Sequence, residues 1–241
     1  MELSHFDLLW AVRGLPKPLR DVMKQEGSCV FVAGGYIRSC VTKEPLNDID
    51  VFSATKEKAK ELANRLSMVG KKPYETDNAL TVKIGPVVVQ FIHRWVFTTP
   101  TECIASFDFT IAKAAFWWSN EDRHWHSYCE DAFYADLAAK RLVYTSPVRN
   151  EDAGGSLLRV LKFYQRGYRI PLDSMGAVIA RLMSAVRPGT HRLEPGVTAE
   201  QWTAKIITAL LREVDPLVDP DAIGHIDSIQ DDPTEFAEKT P

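Results

Sequence analysis

The stretch that most constrains this chain is residues 31–55, FVAGGYIRSCVTKEPLNDIDVFSAT. The apolar, β-branched run Cys29-Val30-Phe31-Val32 reads as a buried strand that stops at the paired glycines Gly34 and Gly35. Residues 36–41, with Arg38, read as a short helix, and residues 49–52 as a second strand. Side chains alternate along a strand, so Asp48 and Asp50 share one face while Ile49 turns into the core. Glycines let a backbone approach a phosphate closely, and the helix that follows offers free amide groups and positive dipole character. Two carboxylates on one face can share divalent cations, and Mg²⁺ commonly binds through one or two carboxylates plus substrate phosphates. Two such ions would activate an attacking hydroxyl and neutralise a leaving pyrophosphate in an in-line displacement. A Gly-Gly turn or an Asp-x-Asp pair alone says little; their ordered combination is much more specific.

Around this segment the pattern is mixed. Two amphipathic helices open the chain over residues 6–12 and 18–25. A charged helix follows over residues 56–68, then a hairpin with strands 79–84 and 87–92 across Gly85-Pro86. Residues 99–106 read as a helix capped by Thr99 or Thr101, and residues 110–118 and 123–128 as strands. From about residue 150 the periodicity is helical, over 156–167, 174–186 and 198–214. The end of the chain combines Pro216, Pro220, Pro233 and Pro241 with acidic residues, the composition of a flexible tail.

Composition narrows the class. Hydrophobic residues at 45% and charged residues at 25% describe a globular chain with material for a core. No run of about 18 apolar residues exists to span a membrane, and no basic-then-apolar leader opens the chain. Cys29, Cys40, Cys103 and Cys129 are scattered without paired-ligand spacing, so the expectation is a reduced, cytoplasmic protein. The net charge of −3 conceals an asymmetry, since residues 214–241 hold eight acids and one lysine. The remainder carries 28 basic against 24 acidic residues, which permits a polyanionic substrate without arguing for one.

The segment resembles the head domain of the DNA polymerase β-like nucleotidyltransferase superfamily, in particular bacterial poly(A) polymerases and class II tRNA nucleotidyltransferases. Gly34-Gly35-Tyr36-Ile37-Arg38 and Asp48-Ile49-Asp50 match that branch's Gly-Gly-x-[Val/Ile]-Arg turn and Asp-x-Asp strand. Phe107-Asp108-Phe109-Thr110-Ile111-Ala112 resembles its Arg-Arg-Asp-Phe-Thr-Ile-Asn motif. Asp136-Leu137 with Lys140-Arg141-Leu142 resembles the end of the head, and residues 157–170 the start of the neck helix. The likeness spans about residues 29–170. It implies an α+β fold: a five-stranded-type, mixed-sheet head with flanking helices, followed by a short helical neck-like segment. The expected organisation is a head over 1–149, a neck-like segment over 150–214 and an acidic tail over 215–241.

The departures are as informative. The family's paired arginines are Ser106 and Phe107 here, and its asparagine is Ala112, at positions that handle the nucleotide sugar. In the neck, Glu151-Asp152 keeps part of the base-reading Glu-Asp-x-x-Arg pattern, but the arginine falls on Gly155 or Ser156. A full CCA-adding enzyme is therefore disfavoured. The third carboxylate of the family's metal site has a natural place in strand 87–92, which supplies Gln90; Asp108 is the next candidate, against a reading as a helix cap.

The resemblance implies transfer of a nucleoside monophosphate from an NTP to an acceptor hydroxyl. RNA, such as a tRNA 3′ end, is the first choice of acceptor; a protein or small molecule is the alternative, as in toxin-like or antibiotic-modifying relatives. Asp48, Asp50 and Asp108 are the candidate catalytic and metal-binding residues, for two Mg²⁺ or alternatively Mn²⁺. Gly34, Gly35 and Arg38 are the candidate nucleotide-binding turn, with Arg38 supporting either the loop or a phosphate. Lys43 and Arg94 can meet phosphates or be ordinary loop and surface cations. Arg159, Lys162, Arg166 and Arg169 form a basic stripe at helical spacing, a contact for RNA or triphosphate or simply a solvated face. Trp117, Trp118 and Trp125 read as strand core, and His124 and His126 as exposed strand residues. The competing class is a non-catalytic nucleotide-binding module that kept the fold.

Overall fold

A computed structural model describes residues 1–46, 48–67, 72–147, 153–186 and 197–214. The expected acidic tail and Glu151-Asp152 lie outside these residues. The chain divides into two compact units, Met1–Leu137 and Ala138–Pro241.

The first unit is built in chain order from α1 (His5–Gly14), α2 (Lys17–Glu26), β1 (Val30–Ala33), α3 (Gly35–Thr42), β2 (Asp48–Ser53) and α4 (Lys56–Leu66). There follow β3 (Tyr74–Glu75), β4 (Ala79–Ile84), β5 (Val87–Ile92), α5 (Pro100–Ala105), β6 (Ala114–Ser119), β7 (His124–Cys129) and α6 (Phe133–Ala138). The strands form one seven-stranded sheet in the order β3-β4-β5-β2-β1-β6-β7. It is wider than the five-stranded head that the sequence suggested, because β3 and β7 extend its two edges. All pairings are antiparallel except β2 with β5, whose connection passes through α4.

The two faces of the sheet are covered differently. Val32, Ile49, Val51, Val89 and Phe116 are buried on one face, beneath the N-terminal helices. Tyr36 of α3 packs 6.4 Å from Phe116, and Lys24 of α2 stands 4.8 Å over the Trp118 ring. On the opposite face, α5 buries Cys103 and Ile104 against Phe31, Ala33, Phe52 and Ala115. A reciprocal cap fixes the start of that helix: the Glu102 N–H donates to Thr99 Oγ1 at 3.2 Å, and the Thr99 N–H donates to Glu102 Oε2 at 3.3 Å. A six-residue helix cannot roof a seven-stranded sheet, so part of this face carries polar, incompletely buried side chains.

One sequence expectation is corrected here. Residues 110–112 form a 3₁₀ turn rather than the start of a strand, and β6 begins only at Ala114. The Thr110 hydroxyl donates to Asp136 Oδ2 at 2.5 Å, and the Lys113 N–H bonds the Thr110 carbonyl at 3.0 Å. This satisfies the segment locally instead of in the ladder. The strand β3 and the helix α6 were not legible in the pattern, being two and six residues long.

The second unit contains α7 (Ala153–Gln165), α8 (Leu172–Ala185) and α9 (Ala199–Val214), with α7 packed on both others. At the α7–α9 crossing a Cβ on Gly154 would stand 2.9 Å from the Leu210 carbonyl oxygen. The absence of a side chain there sets how closely the helices approach. Leu142 and Arg169 are tied backbone to backbone at 2.9 Å, and Phe163 meets the enclosed Tyr168 ring edge-on at 5.3 Å.

Candidate functional site

The antiparallel register of β1 with β2 pairs Val30 with Ser53 and Val32 with Val51. β1 therefore delivers Gly34 and Gly35 alongside the beginning of β2, where Asp48 and Asp50 stand. Gly34 has φ +87, a conformation that glycine adopts without strain, and donates its N–H to the Ala114 carbonyl at 3.0 Å. That bond continues the β1–β6 ladder one step past Ala33 before the chain turns into α3. The result is a strand–turn–helix corner with the first amides of an eight-residue helix beside two carboxylates.

Asp48 and Asp50 are half-buried, while Ile49 between them is buried, as alternation requires. Withdrawal from water, then the neighbouring Asp48 charge, pushes the Asp50 carboxyl well above the usual carboxylate range. Two acids set this way cannot both ionise easily without a nearby positive charge. That is the electrostatic signature expected of residues that share a cation, and as a donor set two adjacent carboxylates suit a hard divalent ion.

The parallel register of β2 and β5 sets Gln90 directly beside Asp50. The next strand places Thr81 beside Gln90, and the edge strand places Tyr74 beside Thr81. Tyr74, Thr81, Gln90 and Asp50 thus form one row on the incompletely covered face, with Tyr74 44% exposed at its outer end. The position where a third strand-borne acid would stand is filled by the Gln90 amide. Asp108 does not complete a cluster either. Among the described residues no group of three or more His, Cys, Asp and Glu side chains is arranged to hold a metal ion.

Asp108 is buried at 7% exposure, between Phe107 and Phe109. The Phe107 ring lies 3.6 Å from where a Cβ on Gly34 would stand and 6.0 Å, edge-on, from Phe52. An aromatic wall therefore replaces the arginine that the resemblance places beside the turn. A residue that the sequence did not single out, Lys113, is buried at 6% exposure in the same region. Burial lowers its ammonium below the ordinary value, and the carboxylates of Glu130 and Asp108 oppose that shift.

Arg38 is buried, pairs with Glu44 at 3.7 Å and donates to Ser39 Oγ at 3.5 Å. Its guanidinium lies 3.7 Å from the Cβ position of Gly35, so it buttresses the turn from within. Lys43 is exposed at the opposite end of α3 from the glycines, in a left-handed conformation with φ +58. Arg94 lies beyond the far end of β5 from Asp48, donates to Asn78 Oδ1 at 2.9 Å and stacks on Trp95 at 5.4 Å. Arg94 is therefore not brought to the carboxylate pair. Arg159 and Lys162 are half-buried on α7 in the second unit. His126 bonds Asp122 at 2.7 Å and stacks 6.0 Å from Trp117, while Trp118 and Trp125 meet edge-on at 5.4 Å across the β6–β7 hairpin. No helix among the described residues is long and apolar enough to cross a membrane.

The fold recurs in solved structures of CCA-adding and tRNA-processing enzymes. A Thermotoga maritima CCA-adding enzyme complexed with tRNA aligns over 96% of this chain and 61% of its own, with 15% identity and a TM-score of 0.54. A CCA-adding enzyme with ATP aligns over 99% and 62%, with 15% identity and a TM-score of 0.54. A tRNA-processing enzyme with CTP aligns over 83% and 57%, with 19% identity and a TM-score of 0.52. The chain spans about three fifths of the length of these proteins. No curated protein matches it. The first unit therefore shares the fold of these enzymes' head domains, a mixed sheet with flanking helices. More narrowly, the family model for Gabija anti-defense 2 proteins matches residues 12–140, and the chain belongs to that family.

Proposed function

We propose that the protein is a divalent-metal-dependent nucleotidyltransferase that moves a nucleoside monophosphate from an NTP to an acceptor hydroxyl. The observation that carries this reading is the placement of Asp48 and Asp50 beside the Gly34-Gly35 corner, on a sheet face left partly open by α5. The amides at the start of α3 hold the triphosphate, and Gly34 and Gly35 keep the approach clear of side chains. Arg38 keeps the turn in shape from beneath. Asp48 and Asp50 are the residues that would hold Mg²⁺ or Mn²⁺, and the raised carboxyl of Asp50 supports that assignment. Bound there, the metal supplies activation of the attacking hydroxyl and charge neutralisation of the departing pyrophosphate.

RNA is the first acceptor to test, supported by the tRNA-bound relatives of the fold and by the basic residues of α7. A second acceptor class, a protein of a defence system, is favoured by the family's description as Gabija anti-defense. One assay separates them: each labelled NTP, with Mg²⁺ or Mn²⁺, is incubated with the protein together with total RNA and cell protein. Label should pass to an acceptor, and Asp50→Asn should reduce transfer by about 10²-fold or more, as expected when one essential charge-stabilising group is lost. Label on protein alone would replace the RNA reading. Metal-dependent NTP binding without any transfer would make the chain a binding module.

A further inference from the structure

The structure assigns Lys113 as the cation that grips the triphosphate of the incoming nucleotide across the Gly34-Gly35 corner from the carboxylate pair; this rests on the transferase reading above. Past the last strand pair of β1 and β6, the Gly34 N–H still bonds the Ala114 carbonyl at 3.0 Å. On the other side, past the last pair of β6 and β7, the Glu130 N–H bonds the Lys113 carbonyl at 2.9 Å. Lys113 is thus held in the sheet next to the glycine corner. Lys113 stands two residues before Ala115, which faces the side of Ala33, Phe52 and Asp50.

Its neighbours agree with that placement. Glu130 and Asp108 both act on its ammonium, and Asp108 directly follows Phe107, whose ring touches Gly34 and Phe52 on the same side. Between β2 and β6 stands only β1, so Lys113 lies two strand spacings, about 10 Å, from the line of Asp48 and Asp50. A triphosphate resting on the amides of α3 would have the carboxylates and their ions on one side and Lys113 on the other. Lys113 is more than nine-tenths buried, and Glu130 and Asp108 are the acids whose charges act on its ammonium. The positions that carry arginines in the resembling branch are Ser106 and Phe107. Lys113 restores a positive charge to the corner from a different strand.

The test is a binding measurement without acceptor, using Mg²⁺–ATP, inorganic tripolyphosphate and AMP on the full chain, followed by the transfer assay. Lys113→Met should weaken ATP and tripolyphosphate at least about tenfold, the usual scale for a charge-assisted contact, and leave AMP unchanged. Lys113→Arg should recover most of the loss, which a general folding defect in Lys113→Met would not allow. Equal weakening of ATP and AMP, or no weakening of either, would overturn the assignment. If the ATP-specific loss appears but the wild type transfers no label, the lysine assignment stands and the transferase reading falls. If the wild type binds neither ATP nor tripolyphosphate, both fall.

Discussion

Asp136 has no exposed surface and accepts the Thr110 hydroxyl at 2.5 Å, which fixes the turn that presents Phe107, Asp108 and Lys113 to the glycine corner. Removing the carboxylate strands a buried hydroxyl and loosens that turn. Asp136→Ala should cost about 1–3 kcal/mol, seen as a lower urea midpoint, with Asp136→Asn falling between it and wild type. Residues such as Asp48, Asp50, Gly34 and Gly35 are legible from the sequence because their spacing has few structural reasons to exist. Lys113 is not. A lone lysine after a turn carries no periodic signal, and its burial in the fold, within reach of the Glu130 and Asp108 charges, has none either. Gln90 lies between these cases: its strand could be read, but its place beside Asp50 depends on a parallel register that links non-adjacent parts of the chain.

At the level of elements, α2 and α4 are joined by a charge network. Glu26 pairs with Lys58 at 2.7 Å and with Arg65, and Arg65 also reaches Glu61 at 3.3 Å. Burial pushes the Glu26 carboxyl up, but the hydrogen bonds and charges of Lys58 and Arg65 outweigh it and hold the group below its ordinary 4.5. A carboxyl depressed in the folded state adds stability above the unfolded value of 4.5, and the gain disappears as pH falls through the folded value. Glu26→Gln should therefore lower the urea midpoint at pH 7 and converge on wild type toward pH 3. In the second unit the limiting contact is Gly154 against the Leu210 carbonyl. Gly154→Val should push α9 away from α7 at a cost of about 1–3 kcal/mol, read as a lower helical melting temperature by circular dichroism. A glycine inside a helix reads in sequence only as a weak point; the close crossing that requires it becomes visible once α9 is in place.

For the molecule as a whole, the question is which acceptor the head serves. The chain spans about three fifths of the CCA-adding enzymes whose fold it shares, so their substrates do not transfer to it by length or likeness. If RNA is the acceptor, α7 is the place to look, because Arg159 and Lys162 sit one turn apart on it. Lys162→Glu should then weaken RNA binding in titrations at several salt concentrations and reduce the salt slope by about one, leaving ATP affinity unchanged. An unchanged slope would move attention to a protein acceptor.

The sequence by itself determined the local logic: a buried strand ending in glycines, a helix start, two same-face acids, and the hairpin at residues 79–92. These are short-range patterns, set by alternation, by glycine's conformational freedom and by helix periodicity. The tertiary structure decided what stands around that corner. The long-range register between strands put Gln90 beside Asp50, Phe107 against Gly34, and Lys113 two strands from the carboxylates, while Arg94 was carried to the far end of β5. Pairing between distant segments leaves no spacing to count, so the candidate acids could be read from the chain and the place of Lys113 could not.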